Sequence, residues 1–312
     1  MIHLVSGGAG LIGSFIIDDL LNKNNKVICL DNFSTGQKKN IKRWLESRNF
    51  ELIDQDIIKP IDIRVDSIWH FACPASPSKY KIDPIKTSKT NFIGTYNMLE
   101  LARKYDAKIL MASSSEIYGD PKVHPQSETY NGSVNPISDR SCYVEGKRFC
   151  ESLCLDYYRT YKTEVRIVRI FNAYGPRMMR NDGRVISNFI HQAMNGKPLY
   201  IYGSGTQTRS FCYIEDLIIG LKKIMQSDYI YPINIGSQEE LSIIELANLI
   251  RKKINKDVKI IHTSKRQDDP MKRKPDIKLA KELLNWKPKT KIIDGLDLTI
   301  DYFQKIKNGK GN

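Results

Sequence analysis

A glycine-rich turn between two patterned segments is the feature that most constrains how this chain can fold. Residues 2–6 predict a short strand, Gly7, Gly10 and Gly13 follow it, and an amphipathic helix is predicted to run to about Asn24. Glycines permit a tight turn and a close approach of the backbone to a pyrophosphate, and a helix N-terminus offers free N–H groups to that anion. The turn therefore predicts the start of a dinucleotide-binding sheet.

A carboxylate follows the next predicted strand. Residues 26–30 predict that strand, and Asp31 and Asn32 come directly after it. In dinucleotide-binding sheets an acidic side chain near this point binds the adenine ribose. Because Asp31 would repel a 2′-phosphate, the sequence favours NAD over NADP.

Tyr143 and Lys147 lie four residues apart, hence on one face of a helix predicted over residues 142–161. A phenol titrates near ~10 in water, and a neighbouring cation favours the phenolate. We therefore expect Lys147 to lower the pKa of Tyr143, so that Tyr143 can accept a proton from an alcohol. The same spacing also occurs on solvated helix faces, and the dinucleotide-binding turn is what favours the catalytic interpretation.

The glycine-rich turn, Tyr143 and Lys147 together resemble the extended short-chain dehydrogenase/reductase superfamily. Several longer motifs occur in the order found in one of its families, the UDP-glucuronate decarboxylases, which are also called UDP-xylose synthases. These motifs are residues 31–36, 124–128, 169–172, 181–185, 202–209 and 273–276. The resemblance spans nearly the whole chain.

The resemblance implies that NAD is the cofactor and indicates which residues bind it. Tyr143 and Lys147 are expected to be catalytic residues and also to bind the cofactor. The other expected cofactor residues are Gly7, Gly10, Leu11, Ile12, Gly13, Asp31, Asn32, Ser34, Thr35, Gly36, Asp56, Ile57, Phe71 and Ala112.

A polar loop follows the strand predicted over residues 108–112, at the edge where parallel sheets bind their ligands. The resemblance places Ser114 at the reacting 4-oxygen of the sugar, and Ser115 and Glu116 near carbon 5. Ser115 is a poor acid where 4,6-dehydratases have Asp, which disfavours dehydration, and 4-epimerases usually lack a carboxylate at Glu116. Without the resemblance, this loop would be interpreted as a helix cap or a solvated loop.

The resemblance implies oxidation at carbon 4, loss of carbon dioxide from the 4-keto sugar, and re-reduction on the same cofactor. Tyr143 would take the 4-hydroxyl proton, and Glu116 or a water that it orients would protonate carbon 5. The expected substrate contacts are Arg184 and Arg209 at the diphosphate, Asn172 and Tyr213 at the nucleotide sugar, and Arg273 at the glucuronate carboxylate.

Three alternatives remain open from the sequence. The first is a decarboxylase that releases the 4-keto pentose together with NADH. The second is a nucleotide-sugar 4-epimerase or 4,6-dehydratase. The third is an NAD-binding regulator without activity, although such superfamily members typically lose the Tyr or the Lys.

Alternating strand and helix patterns predict an α/β protein with a doubly wound parallel (Rossmann) sheet. The chain has 312 residues, 41% of them hydrophobic, which is enough for a smaller C-terminal α/β substrate domain as well. We expect residues 1–175 to form the NAD-binding domain and residues 176–312 to form the UDP-sugar domain, and the resemblance implies a return segment to the first domain near 208–236. The formal charge of +14 comes from scattered lysines, which does not indicate nucleic-acid binding.

The spacing of the six cysteines and five histidines predicts neither a disulfide framework nor a metal site. No signal peptide or membrane-spanning run is evident, so a cytoplasmic protein with reduced thiols is expected. The resemblance also implies a homodimer, paired through helices near 84–104 and 142–161. The candidate contact residues on these helices are Met98, Leu99, Leu101, Phe149, Leu153 and Tyr157.

Overall fold

The computed structural model describes residues 1–180, 182–264 and 269–309, so Asn181 of the motif 181–185 lies outside the described residues. The strands are β1 (Ile2–Ser6), β2 (Lys26–Asp31), β3 (Phe50–Asp54), β4 (Ser67–His70), β5 (Lys108–Ser114), β6 (Val165–Ile170), β7 (Ala173–Tyr174), β8 (Leu199–Tyr202), β9 (Thr208–Ser210), β10 (Cys212–Tyr213), β11 (Pro232–Ile235), β12 (Glu240–Ser242), β13 (Ile260–Thr263) and β14 (Lys272–Arg273). The α-helices are α1 (Leu11–Leu21), α2 (Pro77–Tyr80), α3 (Pro84–Lys89), α4 (Thr95–Tyr105), α5 (Ser141–Tyr161), α6 (Val185–Met194), α7 (Ile214–Gln226), α8 (Ile243–Ile254), α9 (Lys278–Leu284) and α10 (Ile292–Lys307).

Seven strands form one parallel sheet in the order β11-β6-β5-β4-β1-β2-β3. Strands β1, β4 and β6 are buried almost throughout, because helices cover the sheet on both faces. Helices α1 and α7 pack in the core of one face, whereas α4 and α5 pack in the core of the other. The doubly wound parallel sheet predicted from the sequence is confirmed.

The helix predicted over residues 84–104 is interrupted. It consists of α3, a π-helical turn at Thr90–Gly94, and α4. Met98, Leu99 and Leu101 of α4 are buried in the apolar core between this helix and the parallel sheet. They are therefore not exposed to solvent. The interpretation of these three side chains as dimer contacts is therefore wrong, because the face of α4 that carries them is already packed.

The remaining strands form three small sheets near the C-terminal part of the chain. These pair β10 with β7, β13 with β8, and β9 with both β12 and β14. Within the segment expected to return to the first domain, β11 pairs in parallel with β6 of the large sheet. The bridge between Gln126 and Pro275 connects the segment after β5 to the segment after β14. These connections hold the C-terminal residues over the carboxyl end of β5.

Among the helices in the part of the chain that the structure describes, none combines the length and the apolar character that crossing a bilayer requires.

Candidate active site

The glycine-rich turn lines a cavity of about 360 Å³. Gly7 has a φ of +72°, and a Cβ on Gly13 would lie 2.3 Å from the Gly7 carbonyl oxygen, so neither position tolerates a side chain. Helix α1 begins directly after this turn, at Leu11, and its first N–H groups have no acceptor within the helix. The turn therefore fits the pyrophosphate of a dinucleotide. The expected cofactor residues that line this cavity are Gly7, Gly10, Leu11, Ile12, Gly13, Asp31, Asn32, Ser34, Thr35, Gly36, Asp56, Ile57 and Phe71.

Asp31 lines the same cavity, and two backbone groups hold its carboxylate. The Ala9 N–H donates to Oδ2 at 2.9 Å, and the Phe33 N–H donates to Oδ1 at 2.8 Å. Burial raises the pKa of Asp31, and these two hydrogen bonds oppose that effect. Beside Asp31, the Asn32 amide donates to Asp56 at 2.9 Å. A carboxylate fixed in this way can accept hydrogen bonds from ribose hydroxyls, which fits NAD.

A second cavity, of about 460 Å³, adjoins the first. Both cavities are lined by Ile12, Phe71, Cys73, Ala75, Met178 and Arg184. The structure brings most of the remaining predicted site residues to this second cavity, although they are far apart in the sequence. They are Ala112, Ser114, Ser115, Glu116, Tyr143, Lys147, Asn172, Arg184, Arg209 and Arg273.

Three buried residues on one face of α5 fix the helix against the sheet. Tyr143, Lys147 and Glu151 are spaced four residues apart and therefore lie on the same face. Glu151 accepts two hydrogen bonds from Arg169 of β6, at 3.0 and 2.8 Å, and one from Ser113 of β5, at 2.5 Å. One buried carboxylate thus joins the helix that carries Tyr143 to the strand that leads into Ser114.

Tyr143 is buried in a largely aromatic and polar environment. Its ring stacks in parallel on Tyr80 at a centroid distance of 5.1 Å, and the Lys147 Nζ lies 6.0 Å from its ring centroid. Burial raises the pKa of Tyr143, and Cys73 adds to the rise, while a hydrogen bond with Ser114 opposes it. The shift of the Tyr143 pKa is therefore opposite to the one expected from Lys147, because burial is its largest cause.

Glu116 lies between two arginines. Its Oε2 accepts from Arg140, and its Oε1 accepts from Arg273. Burial alone would raise the pKa of Glu116, but the charges of Arg273 and Arg140 outweigh burial and lower the pKa to about 2. Glu116 is therefore a carboxylate at neutral pH.

A further carboxylate lies close to this group. Asp269 contacts Arg209 at 3.1 Å and Arg140 at 3.4 Å. The three arginines around Glu116 and Asp269 are Arg140, Arg209 and Arg273, and all three are buried. Among the described residues, three guanidinium groups beside two carboxylates give this end of the cavity an excess of positive charge, which suits an anionic ligand.

Two other expected substrate residues also reach the cavity. Arg184, immediately before α6, contacts Asp182 at 3.0 Å and lines both cavities. Asn172 donates to the Ser210 carbonyl at 2.9 Å and has a φ of +28°, an uncommon backbone conformation for a residue with a side chain.

Tyr213 is placed differently from the expectation. Its ring is buried against Tyr174 at a centroid distance of 5.7 Å, and Tyr213 lines neither of the two cavities. Tyr213 directly precedes α7, and its ring packs in the apolar core around that helix. The structure therefore does not bring Tyr213 to the site, because Tyr174 lies at the cavity in its place.

Comparisons with known proteins bear on what such a site does. A family model described as GDP-mannose 4,6 dehydratase matches residues 4–299. The chain is 53% identical to UDP-glucuronic acid decarboxylase 6 of Arabidopsis thaliana over 302 residues, which cover 96% of this chain and 88% of that protein. It is 51% identical to UDP-glucuronic acid decarboxylase 1 of Xenopus tropicalis, with coverage of 97% and 72%. This chain belongs to the UDP-glucuronic acid decarboxylase family.

The fold that carries this site is also found in epimerases. A solved UDP-glucuronic acid 4-epimerase from Bacillus cereus, in complex with UDP-glucuronic acid and NAD, superposes with a TM-score of 0.88 at 28% identity, covering 98% of this chain and all of that chain. The resemblance to this family proposed from the sequence is confirmed, and so is the fold.

Three residues at or beside this site, Arg140, Asp269 and Tyr80, are not among those predicted from the sequence. Arg140 and Asp269 contact the charged residues of the cavity, and Tyr80 stacks on Tyr143. A signal for Arg140 was present, because it precedes Tyr143 by three residues and therefore lies on a neighbouring part of the helix surface. Asp269 and Tyr80 come from distant segments, and their spacing in the sequence carries no such signal.

Proposed function

We infer that this chain is an NAD-dependent UDP-glucuronate decarboxylase that forms UDP-xylose. The observation that carries this inference is the placement of Glu116 and Arg273 at the same cavity as Tyr143 and Lys147. With NAD as the hydride acceptor and donor, a phenol and an ammonium group would supply the proton transfers that oxidation and re-reduction of an alcohol require. The buried Arg273 adds a cation that can bind the carboxylate of the substrate. Glu116 adds a means of delivering a proton to the carbon that loses this carboxylate.

Tyr143 is the proposed base for the oxidation. Bound NAD would accept a hydride from carbon 4 of the sugar and later return it there. Tyr143 takes the proton of the 4-hydroxyl, and the positive charge of Lys147, one helical turn further along α5, favours the phenolate against the opposing effect of burial. The Ser114 hydroxyl, which hydrogen-bonds Tyr143, stabilises the 4-oxygen when negative charge develops there.

Arg273 is the proposed partner of the glucuronate carboxylate. Its side chain is 4% exposed, and within the described residues its Nε finds no acceptor, so it has a donor available for an anion. Once carbon 4 is a ketone, the bond from carbon 5 to the carboxylate can break with its electron pair delocalised onto the 4-oxygen. Carbon dioxide then leaves.

Glu116 is the proposed organiser of the proton that replaces the carboxylate. Because its pKa is about 2, Glu116 holds no proton to give at neutral pH. A water hydrogen-bonded to the Glu116 carboxylate is therefore the better donor to carbon 5. The overall reaction takes one proton from solvent for each carbon dioxide released.

The nucleotide part of the substrate has its own proposed contacts. Arg209 and Arg184 bind the diphosphate, where guanidinium groups match phosphate oxygens, and Asn172 orients the sugar. We also propose that residues 1–175 with the segment 208–236 form the NAD-binding domain, and that residues 176–312 supply the UDP-sugar contacts.

The epimerase and dehydratase alternatives have less support from the site. Ser115 is buried and lies where a dehydratase needs an acid to expel the 6-hydroxyl. The chain shares its fold with 4-epimerases, but its closer sequence identity is to decarboxylases. A decarboxylase that releases the 4-keto pentose has the same residues and differs only in how long the intermediate stays bound.

One reaction distinguishes these activities. Purified protein with its bound NAD is incubated with UDP-glucuronate, carbon dioxide and NADH absorbance are followed together, and the sugar nucleotide is identified by mass and NMR. We expect carbon dioxide and UDP-xylose in equal amounts, no net NADH and no need for added NAD. NADH in proportion to carbon dioxide would indicate release of the 4-keto pentose, and a product of unchanged mass would indicate an epimerase.

We also propose a homodimer formed through the exposed aromatic side chains beside α4 and α5. Phe92 and Phe149 are 50% and 47% exposed and contact each other edge to face at 5.2 Å. Tyr96 and Tyr161 are exposed on the same two segments. An exposed aromatic cluster of this kind favours association with a second copy.

A further inference from the structure

Arg140 has no assigned role in the reaction, although it contacts the carboxylate proposed to act at carbon 5. Its guanidinium donates to Oε2 of Glu116, the oxygen that Arg273 does not contact. It is buried, and within the part of the chain that the structure describes, Arg140 and Arg273 hold the same carboxylate from different elements, the start of α5 and strand β14. Arg140 and Arg273 are expected to differ in their contacts once the substrate binds.

Arg273 is shared with the substrate in the proposed function. When the glucuronate carboxylate binds to it, the carboxylate competes with Glu116 for the same guanidinium, and two like charges are brought close together in a buried site. When carbon dioxide leaves, Arg273 loses that partner again. Glu116 therefore needs a second cation that does not depend on the state of the substrate.

Arg140 meets that requirement because it is anchored to the helix that carries the catalytic base. Its carbonyl oxygen accepts from the N–H groups of Tyr143 and Val144, both at 3.0 Å, which fixes its backbone as the N-cap of α5. Its side chain also lies against Tyr80, whose ring stacks on Tyr143. Because Arg140 holds Glu116, the short backbone segment from Arg140 to Tyr143 fixes where Glu116 lies relative to Tyr143.

We propose that Arg140 is a positioning residue that holds Glu116 on one face of carbon 5 while Arg273 binds the carboxylate of the substrate. This proposal rests on the proposed function. Its chemical consequence concerns the carbon that loses the carboxylate. Departure of carbon dioxide leaves a planar enolate, which can take a proton from either face. The proton comes from solvent through the water held by Glu116, and a fixed Glu116 delivers it to one face only.

The test follows the stereochemistry at carbon 5 in heavy water. Enzyme with its bound NAD converts UDP-glucuronate in D2O, and NMR assigns the deuterium to one of the two hydrogens on carbon 5 of UDP-xylose. The wild type should place deuterium at a single position. Arg140→Gln should give deuterium at both positions, with UDP-xylose formed about 10- to 100-fold more slowly. Arg140→Lys, which keeps the charge, should restore most of the single-position labelling.

Arg159→Gln is the matched control. Arg159 lies on the same helix, is paired with Asp156 at 3.1 Å, and is exposed to solvent. Its replacement should leave both the rate and the labelling unchanged. The melting temperature and UDP affinity of each variant show whether it is folded and binds nucleotide.

Each outcome is decisive. Single-position labelling by Arg140→Gln, at whatever rate, overturns the proposal, because a residue that only supports the fold would slow turnover without altering the face of protonation. A folded Arg140→Gln that releases no carbon dioxide also overturns it, since Arg140 would then act at an earlier step. If neither variant at Arg140 folds, its role is structural and the proposal is wrong. Failure of the wild type to form UDP-xylose would instead contradict the proposed function.

Discussion

Replacing Arg273 by Gln should separate binding of the substrate carboxylate from binding of the nucleotide. The variant keeps a side chain that can hydrogen-bond but loses the charge. A hydrogen bond to a charged group contributes about 1.5–3 kcal/mol, which corresponds to about 10- to 150-fold in affinity. We expect UDP-glucuronate to lose affinity by that factor. UDP-xylose has no carboxylate, and its affinity should change by less than about threefold.

The size of this loss of affinity depends on whether Glu116 keeps a cationic partner in the Arg273→Gln variant. Arg140 still pairs with Glu116, so the carboxylate is not left without a cation, and the protein should fold. Titration calorimetry with both nucleotides measures the two affinities directly, on protein that has NAD bound. Lys272→Gln is the control, because Lys272 is the exposed neighbour of Arg273 on β14 and should affect both ligands equally and weakly. Equal losses of both nucleotides in Arg273→Gln would refute the assignment of Arg273 to the carboxylate.

Tyr143→Phe should reduce turnover by at least about 100-fold while NAD binding persists, because only the proton acceptor is removed; near-normal turnover would rule out Tyr143 as the base. Asp31→Asn should raise the affinity for NADP by about tenfold relative to NAD, measured by fluorescence titration, since it removes the charge that repels a 2′-phosphate; an unchanged ratio would contradict the ribose assignment. Because the pKa of Glu116 falls to about 2 on folding, its ion pairs contribute their full stability above the unfolded pKa near ~4.3 and lose it as the pH falls toward 2. The free energy of unfolding in urea should therefore decrease more steeply below pH ~4.3 for the wild type than for Glu116→Gln, and parallel slopes would argue against these ion pairs. Light scattering should show a dimer at micromolar concentration, with Phe149→Asp shifting it toward monomer, and a monomeric wild type would exclude the proposed interface.

The elements that the sequence predicts best are those whose pattern is set locally. The strand predicted over 2–6 occurs with the same bounds, the strands predicted over 26–30 and 108–112 occur as Lys26–Asp31 and Lys108–Ser114, and the helix predicted from 142 begins at 141. Alternation of strands and helices, with a glycine-rich turn after the first strand, is sufficient to indicate a doubly wound sheet. The π-helical turn at Thr90–Gly94 was not predicted, because nothing in its composition departs from that of an ordinary amphipathic helix.

The site is predictable where a residue type and its spacing carry the chemistry. The glycine-rich turn, Asp31 and the Tyr143–Lys147 pair all line the two cavities. The pairing of Glu116 with Arg140 depends instead on how far the loop after β5 reaches toward the start of α5, which is a tertiary property. The placement of Tyr213 depends on which of two buried, neighbouring tyrosines borders the cavity, and the sequence does not distinguish Tyr213 from Tyr174. The raised pKa of Tyr143 likewise follows from burial, which spacing does not reveal.

The buried pair of Glu151 and Arg169 constrains how this sequence can diverge. Each side chain is about nine-tenths buried and has the other as its charged partner. Removing one partner of such a pair leaves an uncompensated buried charge, at a cost of about 3–5 kcal/mol, which is a large part of the total stability of an ordinary domain. A lineage that exchanged this pair for apolar residues would therefore have to pass through a poorly folded intermediate or change both positions at once. Among descendants of this chain, we expect the two positions to be substituted together, whereas an exposed pair such as Arg159 and Asp156 can change one residue at a time.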